Sequence, residues 1–168
     1  MKKNMKVVIA NGLNQADYII SIFAGNKRMP IVINSNKEFS QLLSDKHGID
    51  VFVGDPFKPF TLQEAKINDA DIFIALDEHD ANNFVSCMLA KKLFNVKKCI
   101  CTVANPKNVE IFEELGIDCV VSSTHLLAES IKSESNVEEV VKTLSLEQGK
   151  INILEITMGP NDYIKNKK

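Results

Sequence analysis

This chain of 168 residues has little of what usually announces a protein's chemistry. Its single arginine is Arg28, which falls before the second strand predicted below, so no bidentate guanidinium clamp for phosphate is to hand. There is no surplus of charge: 20 Lys and Arg face 22 Asp and Glu, a formal net charge of -2. That balance gives no field to steer the chain toward nucleic acid or an anionic membrane. No apolar run approaches the roughly 18 residues that a membrane span requires, so direct membrane insertion is not expected. The basic start, Met1 to Lys6, is followed by an apolar stretch that stops at Asn11. That is short of the roughly 7–15 residues of a signal-peptide core, and a soluble, cytoplasmic chain is expected. Cys87, Cys99, Cys101 and Cys119 show no Cys-x-x-Cys spacing. Cys99 and Cys101 would share one face of a strand, too far apart for a disulfide, and all four read as small buried hydrophobes. His47, His79 and His125 have no ligand spacing, so no metal site is expected.

What is present is a 45% hydrophobic, 25% charged sequence, enough for one globular domain with a real core. Short β-branched runs alternate with helical stretches. Strands are predicted at Lys6 to Ala10, Pro30 to Asn34, Asp50 to Val53, Asp71 to Ala75, Lys98 to Val103 and Cys119 to Val121. Helices are predicted from Leu13 to Ala24, from Asn36 to about His47 (Phe39, Leu42 and Leu43 inward), and from Leu62 to Lys66. Further helices run from Asp80 to Phe94 (Phe84, Cys87, Met88 and Leu93 inward), from Pro106 to Leu115, and from Ser123 or Thr124 through Ile131. Strands apolar on both faces and separated by helices imply a parallel sheet covered on both sides. The fold class is therefore α/β, a Rossmann-like doubly wound parallel sheet of six strands, followed by a C-terminal helix and a short extra strand. After about residue 140 the pattern changes. Leu144 to Gly149 reads as a turn and Lys150 to Thr157 as a lone strand, which must pair with another chain or with a further lobe.

Such sheets take ligands at the C-terminal edge, where strand order reverses. In dinucleotide folds the first βα turn is Gly-x-Gly-x-x-Gly; here it is Asn11-Gly12-Leu13-Asn14-Gln15-Ala16. Asn11 tolerates the positive φ of the first glycine, and Ala16 is small enough for the third. Leu13 stands where the second glycine lets a pyrophosphate approach, and its side chain is expected to crowd one. The helix N-terminus still offers amide groups to an anion. A packing turn that binds nothing is the alternative. The second strand ends in Asn34-Ser35-Asn36, where an acidic ribose contact would stand. Asn34 can bond a hydroxyl without charge assistance, and it does not choose a cofactor. His79 on this edge reads as a solvated residue, and no proton donor for hydride transfer is expected. Asp55 holds the place of a receiver domain's phospho-acceptor, but the acidic residues and lysine that receivers need are missing at Asn11 and at 102–105.

Taken in order, these loops resemble the TrkA-N domain, also called RCK-N, of bacterial Trk and Ktr potassium-uptake systems and potassium channels. The marks are Val53-Gly54-Asp55, Asn68-Asp69-Ala70-Asp71 leading into Ala75-Leu76, Asn83, Asn105-Pro106, the stretch Glu110 to Asp118, and Val121 to Thr124. The resemblance runs from Met5 to about Ile131. It divides the chain into a nucleotide-binding domain at 5–131 and a dimerisation helix, hinge and start of a C-terminal lobe at 132–168; this chain stops as that lobe would begin. The resemblance implies a non-enzymatic regulatory subunit, cytoplasmic and peripheral to the membrane through its partner, a membrane-embedded potassium transporter or channel subunit. It implies a homodimer or higher ring, assembled partly through Leu126 to about Leu144, and gating by an adenine nucleotide: NAD(H), ATP, ADP or AMP. By position, Asn11, Gly12, Leu13, Asn14 and Gln15 would cradle phosphate, and Asn34, Ser35 and Asn36 would face the ribose. Gly54 and Asp55 would lie near the base, with Leu76, Asp77 and Asn83 on the opposite wall. Thr102 stands where many members carry arginine. The other readings are a degenerate assembly subunit that binds no nucleotide and an NAD-dependent oxidoreductase fragment.

Overall fold

The computed structural model describes residues 5–24, 29–135, 141–146 and 151–156. Six strands, β1 (Val7–Ala10), β2 (Ile31–Asn34), β3 (Val51–Val53), β4 (Ile72–Ala75), β5 (Lys98–Val103) and β6 (Cys119–Ser122), form one sheet. All of its neighbours pair in parallel, in the order β3-β2-β1-β4-β5-β6. The chain therefore winds outward from β1 to one edge, returns to β4 beside β1, and winds to the other edge. The crevice between the C-terminal ends of β1 and β4 is the switch point.

The intervening helices are α1 (Asn14–Ala24), α2 (Lys37–His47), α3 (Pro59–Glu64), α4 (Asp80–Phe94) and α5 (Asn108–Glu114). Alternate residues of the central strands feed two cores. Val7, Ile9, Val32 and Ile74 pack with Ala16 and Ile20 of α1 and Leu43 of α2. Val8, Ala10, Ile33 and Phe73 pack with Leu62 of α3, Cys87 and Phe94 of α4 and Phe112 of α5. This is why β1 and β4 read as unbroken apolar runs rather than as alternating ones. Cys87, Cys99 and Cys101 meet in the second core; hydrogen bonding to Cys101 and Cys99, and then burial, push the Cys87 thiol well above its ordinary range.

Several element-level expectations are corrected. Leu42 and Leu93 are half exposed: Leu43 faces inward as expected, and Ser40 of α2 and Ala90 and Phe94 of α4 take the other inner positions. The third helix starts earlier, at Pro59, whose fixed φ suits a first helical turn. The fifth helix starts later, at Asn108, leaving Pro106 in the turn before it. Residues 144–146 are not a turn but the end of a strand, β7 (Val141–Leu146). Nor is the strand at the C-terminal end alone. As β8 (Ile151–Ile156) it pairs antiparallel with β7 of the same chain. The last helix, α6 (Ser123–Ser135), precedes this hairpin. The chain divides into two compact units, Met1–Thr124 and His125–Lys168. Arg28 lies outside the described residues. Among those described, no helix is long and apolar enough to cross a membrane.

The sheet's end away from the crevice is fastened by Asp118. Its carboxylate accepts from the Cys99 amide at 2.7 Å and from Lys91 Nζ of α4 at 2.6 Å. Burial raises the pKa of this carboxyl, but the Cys99 amide and Lys91 outweigh it and leave it below the ordinary 3.8. The stabilisation is therefore present in full above that value and is lost as pH falls through the lowered one. Asp118→Asn should cost about 1–2 kcal/mol at neutral pH. In urea titrations the gap from wild type should close as the pH drops below 3.8; a gap independent of pH would contradict this role.

Candidate functional site

The crevice is built on the turn after β1. Asn11 has φ 55° and Gly12 φ 78°, so the chain reverses in the left-handed region where Asn and Gly are the tolerated residues. Gly12 has a second reason to be glycine: a Cβ there would lie 2.7 Å from Leu76 Cβ, so any side chain would collide with the end of β4. Asn11 is almost fully buried and uses its whole side chain. Its amide nitrogen donates to an Asp77 carboxylate oxygen, and its amide oxygen accepts from the Ser35 backbone at 2.9 Å. Backbone bonds from Asn11 to Ile33 and from Leu76 to Ala10 complete the junction of β1, β2 and β4.

The end of β2 carries no free ribose contact at Asn34. Its side chain is buried, donating to the Gly12 carbonyl and accepting from the Asn36 amide, both at 2.9 Å. Asn36 in turn caps α2 by accepting from the Phe39 amide. Past β4, Asn83 is a buried strut: it accepts from the Asp77 amide and donates to the carbonyls of Asp77 and Thr102. Asp77 accepts from the His79 amide and the Asn82 side chain as well as from Asn11. Asp80, at the start of α4, holds the loop after β5 by accepting from Ala104, Asn105 and the Asn108 side chain. The loops after β1, β2, β4 and β5 are thus held to one another by Asn and Asp side chains.

These loops enclose a cavity of about 520 Å³, within the roughly 300–1,000 Å³ of small-molecule sites. Of the residues singled out in the sequence, Asn11, Gly12, Leu13, Gln15, Ser35, Asn36, Leu76 and Asp77 line it. Leu13 is half exposed at the cavity wall. The others do not line it. Asn14 is an exposed first residue of α1. Asn34 and Asn83 are consumed by the bonds just described. Gly54 serves packing, since a Cβ there would sit 2.9 Å from Thr61 Cγ2 of α3. Asp55 pairs with Lys58 at 2.6 Å. Glu78, Thr102, Ala104 and Ser123 also line the cavity, though the sequence reading assigned none of them to the ligand. Thr102, Ala104 and Ser123 flank the ends of β5 and β6 and were recoverable from the edge rule alone. The struts Asp80 and Asn108 act across loops distant in sequence, which no local motif signals.

Residues 7–123 match the family model of the TrkA-N domain. The chain belongs to the TrkA-N family. It is 33% identical over 96 residues to the Trk system potassium uptake protein TrkA homolog of Methanothermobacter thermautotrophicus, covering 57% of this chain and 44% of that one. The chain spans about half the length of the curated relatives it matches first. Among solved structures it superposes on the GsuK channel bound to NAD with TM-score 0.76 and 19% identity, covering 92% of this chain and 28% of that one. Against GsuK bound to ADP the values are 0.71 and 20%, over 82% and 36%. At those identities the likeness is one of fold, and this TrkA-N fold is the Rossmann-like one that oxidoreductases share. The departures expected from the family's pattern fall at Leu13 in the turn after β1, at Asn34 and at Thr102, and of these Leu13 and Thr102 line the cavity.

Two substitutions test this construction. Gly12→Ala should destabilise the protein by about 1–3 kcal/mol through backbone strain and collision with Leu76. Asn83→Ala removes three bonds to buried backbone groups and should cost at least about 2 kcal/mol. Urea denaturation measures both; wild-type stability in either would refute the role given to that residue.

Proposed function

We propose that this chain is the nucleotide-sensing regulatory domain of a potassium-uptake system, acting in the cytoplasm on a membrane-embedded transporter or channel subunit. The observation that carries this reading is the cavity at the β1/β4 switch point, placed where the N-terminus of α1 meets it, in a chain of the TrkA-N family. The ligand is an adenine nucleotide: NAD(H), ATP, ADP or AMP. The first-turn amides of α1 beside Gly12, Leu13 and Gln15 receive phosphate. Ser35 and Asn36, rather than Asn34, face the ribose, and Leu76 forms the opposite wall. Support comes from relatives that are Trk system potassium uptake proteins and from a fold neighbour solved with both NAD and ADP.

Occupancy acts through the shared struts. A ligand pressing on the turn at Asn11 meets the β2 and β4 loops at once, because the Asn11 side chain is bonded to both. The domain senses and does not catalyse: His79, in the loop after β4, is mostly exposed and bonded to Asp77 rather than lining the cavity. Assembly as a homodimer or ring fits the exposed Leu126 and Leu127 on α6. A second reading, an assembly subunit that binds no nucleotide, is favoured by one observation, the Leu13 side chain standing at the wall where a glycine would leave room.

Thermal unfolding with NADH, NAD, ATP, ADP and AMP separates the two. A ligand at a hundredfold excess over its Kd should add about 2.7 kcal/mol, a clear rise in Tm. No shift with any of the five at millimolar concentration would refute nucleotide sensing and leave the assembly reading.

A further inference from the structure

The charge of the cavity wall bears on which nucleotide it takes, given the nucleotide reading above. Among the described residues, those lining the cavity include no lysine, arginine or histidine. Its ionisable side chains are two carboxylates, Asp77 and Glu78, both on the loop after β4. Asp77 cannot swing away, because Asn11, Asn82 and the His79 amide hold it from three sides. It is also placed against the phosphate turn: one of its oxygens accepts from Asn11, and the adjoining Leu76 is the residue that Gly12 abuts. The β2 end contributes only the neutral Ser35 and Asn36.

We infer that the cavity ranks adenine ligands by phosphate charge, with Asp77 and Glu78 as the residues that discriminate. A first phosphate gains the α1 amides, which oppose the carboxylates. Each further phosphate adds negative charge beside two carboxylates, with no cation among the described lining residues to receive it, and Coulomb repulsion then works against binding. AMP therefore binds at least as tightly as adenosine, and ADP and ATP bind progressively more weakly. Most nucleotide sites that hold triphosphates do so with cationic side chains, so their affinity falls as salt screens the attraction. Here the sign is reversed, and salt relieves a repulsion.

The test is isothermal titration of the whole chain with adenosine, AMP, ADP and ATP, in EDTA so that no divalent ion masks the phosphates, at low and raised sodium chloride. The expected result is a loss of about threefold in affinity for each phosphate beyond the first, shrinking as salt rises. Glu78→Gln should recover about threefold of the ATP affinity. The Glu78 side chain is 89% exposed, so the substitution leaves the fold alone. An affinity that climbs from AMP to ATP, an ATP affinity that salt weakens, or an unchanged ATP affinity in Glu78→Gln would each overturn the charge rule while leaving nucleotide binding intact. Binding of none of the four, nor of NAD or NADH titrated beside them, would instead remove the nucleotide reading on which the rule rests.

Discussion

The side chain of Asn11 joins three strand ends at one point. From a left-handed backbone it donates to Asp77 after β4 and accepts from the Ser35 amide after β2. A glycine in its place would supply the backbone angle but neither bond. An alanine would supply nothing and would strain the turn. The departure from a glycine turn therefore does something glycine cannot: it makes the turn, the ribose-side loop and the β4 loop one hydrogen-bonded body. Gly12 completes it by letting the turn lie against Leu76. The crevice has its shape because these contacts leave little freedom.

The sensing role proposed above draws on this junction. A sensor needs ligand contact at one loop to be felt at the others, and here that path consists of short, buried bonds rather than side chains free in solvent. The same junction fixes the electrostatics, since bonding Asn11 to Asp77 sets a carboxylate beside the turn after β1. Membership of the TrkA-N family puts the crevice in a fold whose solved neighbours carry NAD and ADP.

The sheet was legible in the sequence because its strands are buried on both faces, and runs such as Val7 to Ala10 and Ile72 to Ala75 leave few other readings. Helix faces were less legible. Leu42 and Leu93 are apolar but sit on the outer side, while the small Ser40 and Ala90 take the inner positions against the sheet. The positive φ of Asn11 followed from residue type, and so did the crevice edge. The roles of Asn34, Gly54, Asp55 and Asn83 did not. Each was assigned to a ligand by its position in a pattern, and each is used by the chain itself, in a bond to Gly12, a contact with Thr61, a pair with Lys58 and a strut to Thr102. Polar residues near a binding edge look alike in sequence whether they face the ligand or support the loops beneath it. The β7–β8 hairpin was half legible: alternation marked one strand, and the other was hidden under residues read as a turn.

The central claim is that an adenine nucleotide sits between the β1 turn and the β4 loop, touching Ser35 but not the loop after β3. The most direct measurement is a titration of isotope-labelled protein with NAD or AMP, following backbone amide resonances. The account predicts that Gly12, Leu13, Ser35, Asp77 and Glu78 shift together and saturate at one Kd, while Gly54, Asp55 and Cys119 stay in place. Shifts centred on Gly54 and Asp55 would move the ligand to the sheet's edge, and an unchanged spectrum at saturating nucleotide would contradict the account outright.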